Sequence, residues 1–352
     1  MKKNVLLYSH ELKTGGAPAV LCEMGKILKK KYNVVVLSPS DGMMRQQFEQ
    51  NGIEVIISGE ITDLLRNVII QEFEFIVANT TLALPIVIKL AGKIPIYWWI
   101  HENTPAYEGR CGMIEYYQFA ARYAKIFSAG HVAADNFYHF YKIKTEILEF
   151  GLQDNYTAEK DIRKHESINI ICPSTVCELK GQDILVQAIR RMDAGLRDRC
   201  RFIFLGKLRN DNIKEYRMIE KLTEEYANVE LHLLVEREKL LDLYYDMDVV
   251  IAPSREDATP ATIVEGLMYH RICICSSGTG VSRYLQDGKS GFIFDNENVD
   301  DLKAKLEYVV RNYEELEQLR EQGRTVYEEI YSYDIFEKNV LENIGRLNSC
   351  RI

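Results

Sequence analysis

The sequence predicts an α/β protein built from two doubly wound, parallel-sheet domains. Short apolar runs rich in β-branched residues alternate with amphipathic helical patterns along the chain, which is typical of parallel sheets assembled from βαβ units. The chain has 352 residues, more than one hydrophobic core usually supports. A polar stretch without periodicity, GLQDNYTAEKDIRKHE (residues 151–166), separates two series of strands.

Seven strand-like runs, bounded by polar residues, Gly or Pro, come before this stretch. They are NVLLYS (4–9), NVVVLS (33–38), EVIIS (54–58), FIVANT (75–80), IPIYWWIH (94–101), IFSAG (126–130) and TEILEFG (145–151). The second series is INIICPS (168–174), RFIFLG (201–206), VELHLL (229–234), VVIAPS (249–254), ICICSS (272–277) and GFIFD (291–295).

These runs define the expected domains. We expect an N-terminal domain over residues 1–155, a linker over 156–166, a C-terminal domain over 167–330, and a final helix over 331–352 that could pack back toward the N-terminal domain. Ligands of open α/β sheets bind at the carboxyl ends of the strands. Two such sheets therefore predict a cleft between the domains, with the ligand site inside it.

Charge and cysteine content narrow the classes of function. The formal net charge is −8, divided as 16 Lys+Arg against 15 Asp+Glu in residues 1–150 and 28 against 37 in the remainder. A nucleic-acid groove needs a basic stripe, so we expect no nucleic-acid partner. The eight cysteines, at 22, 111, 172, 177, 200, 273, 275 and 350, lack paired metal-ligand spacing and predict reduced thiols. DMD (246–248) lies where a helix meets a strand, and we expect no metal there.

The expected location is the cytoplasm. MKKNVLLYSHEL at the start lacks the apolar segment of a signal peptide, and no apolar run approaches the roughly 20 residues of a membrane span. KILKKK, running from Lys26 to Lys31, and FYHFYKIK (137–144) leave open a peripheral contact with anionic lipid at the inner face of the membrane. A solvated helix end is the equal alternative.

The segment VVIAPSREDATPATIVEGLMYHR (249–271) carries the most chemical information. An apolar strand runs into a polar loop and then a helix start, with Thr259 as the expected N-cap and Pro260 as the first helical residue. The amides of Ala261, Thr262 and Ile263 would then be free to bind an anion such as a diphosphate, helped by the helix dipole.

Two carboxylates flank this helix start. Asp257 and Glu265 can accept hydrogen bonds from sugar or ribose hydroxyls. The stretch resembles the acidic pair of glycosyltransferase family 4, with Pro253, Ser254, Asp257, Glu265 and Gly266 matching the pattern. The resemblance implies the GT-B fold, in which two Rossmann-like domains face a central cleft. It also implies that Glu265 holds the donor's ribose and Asp257, where the family more often has Glu, holds the transferred sugar.

A second segment, STVCELKGQDILVQAI (174–189), resembles the family's phosphate-binding strand and loop. The resemblance places Lys180 on the diphosphate of the donor. Ser174 and Thr175 stand where the family commonly has Gly-Arg, so the usual second cation is missing.

Two segments of the N-terminal half add to the resemblance. Gly15 and Gly16 in HELKTGGAPAVLCEM resemble the family's glycine loop, where the missing side chains let backbone approach phosphate and acceptor closely. His101 in WWIHENTP stands where the family often has a His that faces the cleft. A polar residue that only ends a strand is the alternative for His101.

The function implied is retaining transfer of a sugar from a nucleotide-diphosphate donor, with no metal or other cofactor, since Lys180 and the helix start can stabilise the leaving diphosphate. The expected catalytic residues are Asp257, Lys180 and His101. The expected donor-binding residues are Gly15, Gly16, Thr175, Lys180, Thr259, Ala261, Thr262 and Glu265. The expected acceptor is a saccharide or lipid-linked saccharide used in surface polysaccharide or glycoconjugate synthesis.

Other functions stay open at this point. Thr175 and Asp257 prompt the alternative of a catalytically weakened binding subunit that supports a partner transferase. A nucleotide-sugar epimerase or a phosphorylase of the same fold is a further alternative, for which no segment gives support.

Overall fold

The computed structural model describes residues 2–161, 165–207, 213–233 and 237–344. The described chain forms two compact units. Leu152–Ser332 form the second unit, and the residues on either side of that range form the first. The chain therefore leaves the first unit after Gly151 and returns to it at Tyr333.

The first unit is a seven-stranded parallel sheet covered by helices. Its strands are β1 (Asn4–Ser9), β2 (Asn33–Ser38), β3 (Glu54–Ile57), β4 (Phe73–Asn79), β5 (Ile96–Ile100), β6 (Ala124–Ser128) and β7 (Glu146–Ile147), in the spatial order β3-β2-β1-β4-β5-β6-β7. The helices between them are α1 (Gly16–Lys29), α2 (Met44–Gln50), α3 (Asp63–Glu72), α4 (Leu84–Leu90), α5 (Thr104–Glu108), α6 (Ile114–Ala121) and α7 (His131–Tyr141).

The second unit repeats this plan with a six-stranded parallel sheet. Its strands are β8 (Ile168–Pro173), β9 (Cys200–Gly206), β10 (Val229–Leu233), β11 (Val249–Ala252), β12 (Ile272–Ser276) and β13 (Phe292–Phe294), in the order β10-β9-β8-β11-β12-β13. Its helices are α8 (Gln182–Arg191), α9 (Ala194–Arg197), α10 (Ile213–Glu225), α11 (Arg237–Leu243), α12 (Ala261–Met268), α13 (Val299–Asn312) and α14 (Glu317–Val326).

The predicted pair of doubly wound parallel sheets is confirmed. Each predicted strand corresponds to an observed one, because strands buried on both faces read as continuous apolar runs. In β5, for example, all five residues are buried. β7 is shorter than the predicted run over 145–151, since it lies at the edge of the sheet and pairs only with β6. Leu234, the end of the run predicted for β10, lies outside the described residues.

The described residues of the expected linker belong to the second unit. The hydroxyl of Tyr156 donates to Asp161 at 3.1 Å, and the amide of Thr157 donates to the hydroxyl of Tyr245 at 2.8 Å. Arg271 pairs with Asp161. The contacts with Tyr245 and Arg271 join residues far apart in sequence, so the polar composition alone could not indicate them. Residues 162–164 lie outside the described range.

The final helix, α15 (Tyr333–Asn343), belongs to the first unit. The ring of Phe336 stacks on Trp99 with 5.9 Å between centroids, and Glu337 pairs with Lys30 of the segment that ends α1. The rest of the expected final helix, residues 345–352, lies outside the described residues.

Among the residues that the structure describes, no helix combines the length and the apolarity needed to cross a bilayer. The cysteines whose side chains are described are free thiols, as expected: Cys22, Cys172, Cys177, Cys200, Cys273 and Cys275.

Candidate functional site

The strand order of the second sheet reverses between β8 and β11. In doubly wound sheets, ligands bind beyond the carboxyl ends of the strands at such a reversal. The loop after β8 carries Thr175 and Lys180, and the loop after β11 carries Asp257 and Thr259 before α12 begins. The donor-site residues predicted in this unit therefore lie on two adjacent loops and in the helix that follows one of them: Thr175, Lys180, Thr259, Ala261, Thr262 and Glu265. Thr175 is partly exposed, and its carbonyl accepts a hydrogen bond from Gln182 at 3.0 Å.

Lys180 and Asp257 form an ion pair across these two loops. Nζ of Lys180 donates to Oδ2 of Asp257, with the side chains 25% and 12% exposed respectively. Burial lowers the pKa of the Lys180 ammonium, but the charge of Asp257 and its hydrogen bond outweigh burial, so the pKa of Lys180 is raised. Lys180 is therefore fully charged at neutral pH.

Close packing of the two loops fixes this pair. Gly181 has φ +66°, and a Cβ there would lie 2.0 Å from the carbonyl oxygen of Pro253, so only glycine fits without a backbone shift. The amide of Arg255 donates to the carbonyl of Leu179 at 2.9 Å. The Arg255 guanidinium also binds both carboxylate oxygens of Asp183, at 2.8 and 2.7 Å. Arg255, which was not predicted, thus holds the two loops together.

The loop after β12 holds the backbone of Asp257. The Asp257 amide donates to Gly278 at 3.2 Å, and the Gly280 amide donates to the Asp257 carbonyl at 2.9 Å. A Cβ on Gly280 would lie 1.8 Å from the carbonyl oxygen of Ala258. These glycines are explained by the close approach of two backbones, and the result is a fixed position for the Asp257 carboxylate.

The predicted start of α12 is wrong by one residue. Pro260, with φ −67° and ψ 106°, is the N-cap, and the helix begins at Ala261. The Thr259 hydroxyl donates to the carbonyl of Ala258 at 2.7 Å, so it does not cap the helix. The extended ψ of Pro260 inserts one non-helical residue between Thr259 and the first turn, which prevents the expected capping geometry.

Two of the three amides predicted to be free lie before the first intrahelical hydrogen bond. That bond runs from the amide of Ile263 to the carbonyl of Pro260 at 3.0 Å, so the Ile263 amide is not available. Ala261 is exposed and Thr262 half-buried, and their amides precede this bond. Such amides, with the positive end of the helix dipole, attract anions.

Glu265 lies one turn into α12 and is fully buried. Its Oε2 accepts a hydrogen bond of 2.6 Å from the hydroxyl of Tyr244. Tyr244 was not predicted, because in the sequence it is the end of the helical pattern REKLLDLYYDM. A ligand hydroxyl that donates to the Glu265 carboxylate therefore binds beside the hydrogen bond from Tyr244.

In the first unit, Gly15 is the extended N-cap of α1 and Gly16 its first residue. Neither needs to be glycine for its own conformation, since Gly15 has φ −177° and neither has a positive φ. A Cβ on Gly16 would meet no atom within 4 Å, and one on Gly15 only Pro18 at 3.8 Å. The absent side chains thus leave open surface at the start of a long helix.

His101 follows β5 and lies in a polar cluster at the carboxyl ends of β1, β4 and β5. Asn79 donates to the carbonyl of Ala17 at 3.0 Å, which orients its amide, and His101 Nε2 lies 2.8 Å from Asn79 Oδ1. Nε2 therefore carries the hydrogen and Nδ1 is the acceptor. Burial, followed by the charge of His10, lowers the pKa of His101 to about 3. The imidazole is neutral at pH 7.

Thr80 and His10 complete this cluster, and neither was predicted. Thr80 has φ +74°, a strained conformation for a β-branched residue. Its amide donates to Trp99 and its carbonyl accepts from the indole of Trp98, each at 2.7 Å, and its hydroxyl lies 2.9 Å from His10 Nδ1. The sequences YSH (8–10) and ANT (78–80) could have indicated this cluster, because in each of them polar residues follow a buried strand.

The lysine cluster at 26–31 is partly neutralised within the first unit. Lys26 Nζ lies 2.6 Å from Glu23, and Lys29 donates to the carbonyl of Asn51 at 2.6 Å. Lys30 is paired with a glutamate of α15. Less positive charge is therefore available to anionic lipid than the sequence implies.

The two aspartates of DMD lie at the other end of the second sheet from Asp257. Asp248 precedes β11 and accepts hydrogen bonds from the amide of Asn169, at 2.8 Å, and from the Tyr313 hydroxyl. Asp246 is exposed. In the described ranges, no three His, Cys, Asp or Glu side chains are arranged to hold a metal ion.

Solved glycosyltransferases share this pair of doubly wound sheets, the GT-B fold. HepE (Alr3699) from Anabaena, solved in complex with UDP and glucose, matches with a TM-score of 0.82 and 17% identity over 99% of this chain and 100% of that one. A glycosyltransferase from Rickettsia africae ESF-5 matches with a TM-score of 0.78 and 18% identity over 97% of each chain. These matches show that the chain has the GT-B fold.

The chain belongs to the glycosyl transferases group 1 family, whose model matches residues 141–326. The model of glycosyl-transferase family 4 matches residues 1–137. A relative described as uncharacterized glycosyltransferase MJ1178, from Methanocaldococcus jannaschii, is 26% identical over 147 residues, which is 41% of this chain. The chain spans 39% of that relative's length.

Proposed function

We propose that the protein is a retaining, metal-independent glycosyltransferase that moves a sugar from a nucleotide-diphosphate donor to a saccharide or lipid-linked saccharide. The product would be a surface polysaccharide or another glycoconjugate. The main support is the position of Lys180 and the start of α12 on adjacent loops where the second sheet reverses. The UDP and glucose in the HepE structure support a nucleotide-linked sugar as the donor.

Charge balance is the first requirement of this reaction. The bond between the anomeric carbon and the diphosphate oxygen breaks, and negative charge grows on the leaving diphosphate. Lys180 and the amides of Ala261 and Thr262 supply fixed positive potential for that charge, in place of a metal ion. Asp257 accepts hydrogen bonds from the hydroxyls of the sugar, and Glu265 accepts them from the hydroxyls of the ribose.

The acceptor oxygen forms the new bond to the anomeric carbon, and its proton passes to the leaving diphosphate. With its pKa near 3, His101 is a weak base at neutral pH, so its role is to accept a hydrogen bond through Nδ1 and orient a hydroxyl. The open surface at Gly15 and Gly16 would admit phosphate or acceptor close to the backbone.

Contact with anionic lipid through residues 26–31 is a weaker part of the proposal. Three of the lysines already have partners within the first unit, which leaves Lys31 exposed for this role. Co-sedimentation with phosphatidylglycerol vesicles that disappears at high salt would support it. Equal recovery with neutral and anionic vesicles would exclude it.

The function is tested by incubating the purified chain with UDP-, GDP- and dTDP-sugars in the presence of EDTA. Thermal stabilisation reports donor binding, slow donor hydrolysis reports bond cleavage, and product analysis with candidate saccharides reports transfer. We expect at least one donor to stabilise the protein and to be consumed with EDTA present, yielding a product of unchanged anomeric configuration.

Other outcomes distinguish the alternatives. Stabilisation without turnover, even with acceptors, would indicate a binding subunit. Conversion of the donor sugar without an acceptor would indicate an epimerase. Turnover that stops in EDTA and returns with Mg²⁺ or Mn²⁺ would contradict metal independence.

A further inference from the structure

The ion pair between Lys180 and Asp257 lies inside the site proposed for the diphosphate. A carboxylate works against an anion there, because like charges repel and because the cation is already engaged. The two side chains are only 25% and 12% exposed, so solvent screens them in part. An incoming diphosphate therefore competes with Asp257 for the ammonium of Lys180.

Arg255, the cation nearest to Asp257 along the chain, is itself engaged. Arg255 is two residues from Asp257, but it holds both oxygens of Asp183 and one oxygen of Glu297, the last at 2.8 Å. When Lys180 turns to a diphosphate, the Asp257 carboxylate lies beside that anion and loses its partner. The free-energy cost of leaving the Asp257 carboxylate unpaired weakens the binding of every ligand that has a diphosphate but no sugar.

A ligand that carries a sugar recovers this cost. Sugar hydroxyls can donate hydrogen bonds to the Asp257 carboxylate and satisfy it after Lys180 has moved. A nucleoside diphosphate has no sugar at that end and offers no such donor. Both ligands carry two phosphates, but only the nucleotide-sugar brings hydroxyls to Asp257, whereas the free terminal phosphate of the nucleoside diphosphate carries an extra negative charge that Asp257 repels.

We infer that Asp257 makes the site prefer an intact nucleotide-sugar over the nucleoside diphosphate, by holding Lys180 until a sugar hydroxyl takes its place. This inference rests on the proposed function and adds a determinant of specificity to it. Once the sugar has been transferred, Asp257 competes with the diphosphate for Lys180. Release of the nucleoside diphosphate is thereby favoured after each transfer.

The test is calorimetric titration of the full chain and its Asp257→Asn variant, which keeps the size of the side chain and removes its charge. UDP with UDP-glucose, GDP with GDP-mannose and dTDP with dTDP-glucose are titrated, and the pair that binds the wild type is compared. We expect the nucleoside diphosphate to bind the variant about tenfold more tightly, and the nucleotide-sugar to bind no more tightly than to wild type.

Asp198→Asn is the matched control. Its side chain is 72% exposed and precedes β9, at the amino end of the same sheet, so it removes the same charge away from the site. Both affinities should equal those of wild type. In a Lys180→Met background, adding Asp257→Asn should tighten diphosphate binding less than it does in wild type, because no engaged cation remains to be released.

Each outcome decides between the claims. Unchanged or weaker diphosphate binding in a folded Asp257→Asn variant overturns the inference and leaves the proposed function standing. If that variant does not fold, Asp257→Ser is judged by the same ratio of affinities, and the Lys180→Met background gives an independent reading. If none of the three pairs binds the wild type, the proposed function fails and the inference fails with it.

Discussion

At the scale of single residues, the sequence identified charged groups of the second unit but not their partners. Asp257 and Glu265 could be found because they flank a helix start that follows an apolar strand, and Lys180 because its segment resembles the phosphate-binding loop of the family. The Lys180–Asp257 pair joins positions 77 residues apart, and Tyr244–Glu265 joins positions 21 apart. Such partnerships depend on which loops the sheet order brings together, and no local pattern encodes that.

Glu265 offers a test at this scale. Glu265→Gln keeps an oxygen that can accept the Tyr244 hydrogen bond while it removes the charge. We expect near-normal thermal stability and donor binding about tenfold weaker, because hydrogen bonds to a charged acceptor are stronger than those to an amide. Calorimetric titration with the donor that binds wild type measures the change.

Glu307→Gln is the matched control for that variant. Glu307 is also buried, in α13, and accepts from the amide of Asp193 at 2.8 Å. This control should lose some stability and keep wild-type donor affinity. Wild-type affinity in Glu265→Gln would remove Glu265 from the proposed site.

At the scale of elements, strands were predictable and helix starts less so. Continuous apolar runs define buried parallel strands, whereas the start of α12 depends on one backbone angle, ψ of Pro260. Gly15 and Gly16, at the start of α1, were predicted as a glycine loop. Their surface is open and their backbone needs no glycine, in contrast to Gly181.

That contrast gives a prediction for the two glycine positions. Gly181→Ala should lower the free energy of unfolding by about 2 kcal/mol or more, because alanine at φ +66° is strained and its Cβ meets Pro253. Gly16→Ala should not lower stability, since its Cβ meets no atom, yet transfer should slow. Urea unfolding and initial transfer rates measure both effects. A Gly16→Ala variant with wild-type transfer would show that no ligand approaches α1 there.

At the scale of the whole molecule, the sequence predicted the fold class but placed the limits of the units less closely. The expected first boundary was residue 155, while the units divide after Gly151. The polar stretch that follows is held by the non-local contacts of Thr157 with Tyr245 and of Asp161 with Arg271. Composition shows where the chain becomes polar and loses its periodicity, but long-range packing decides which unit a segment belongs to.

The central claim is that Lys180, beside the start of α12, holds the diphosphate of the donor. Lys180→Met removes the ammonium and keeps most of the side-chain length. Lys221→Met, at an exposed position of α10, removes the same charge elsewhere in the second unit. The measurement is calorimetric titration of both variants and wild type with the donor that stabilises wild type. We predict at least about tenfold weaker binding for Lys180→Met alone, since a charge-assisted phosphate contact is lost; equal affinity in all three proteins would contradict the account.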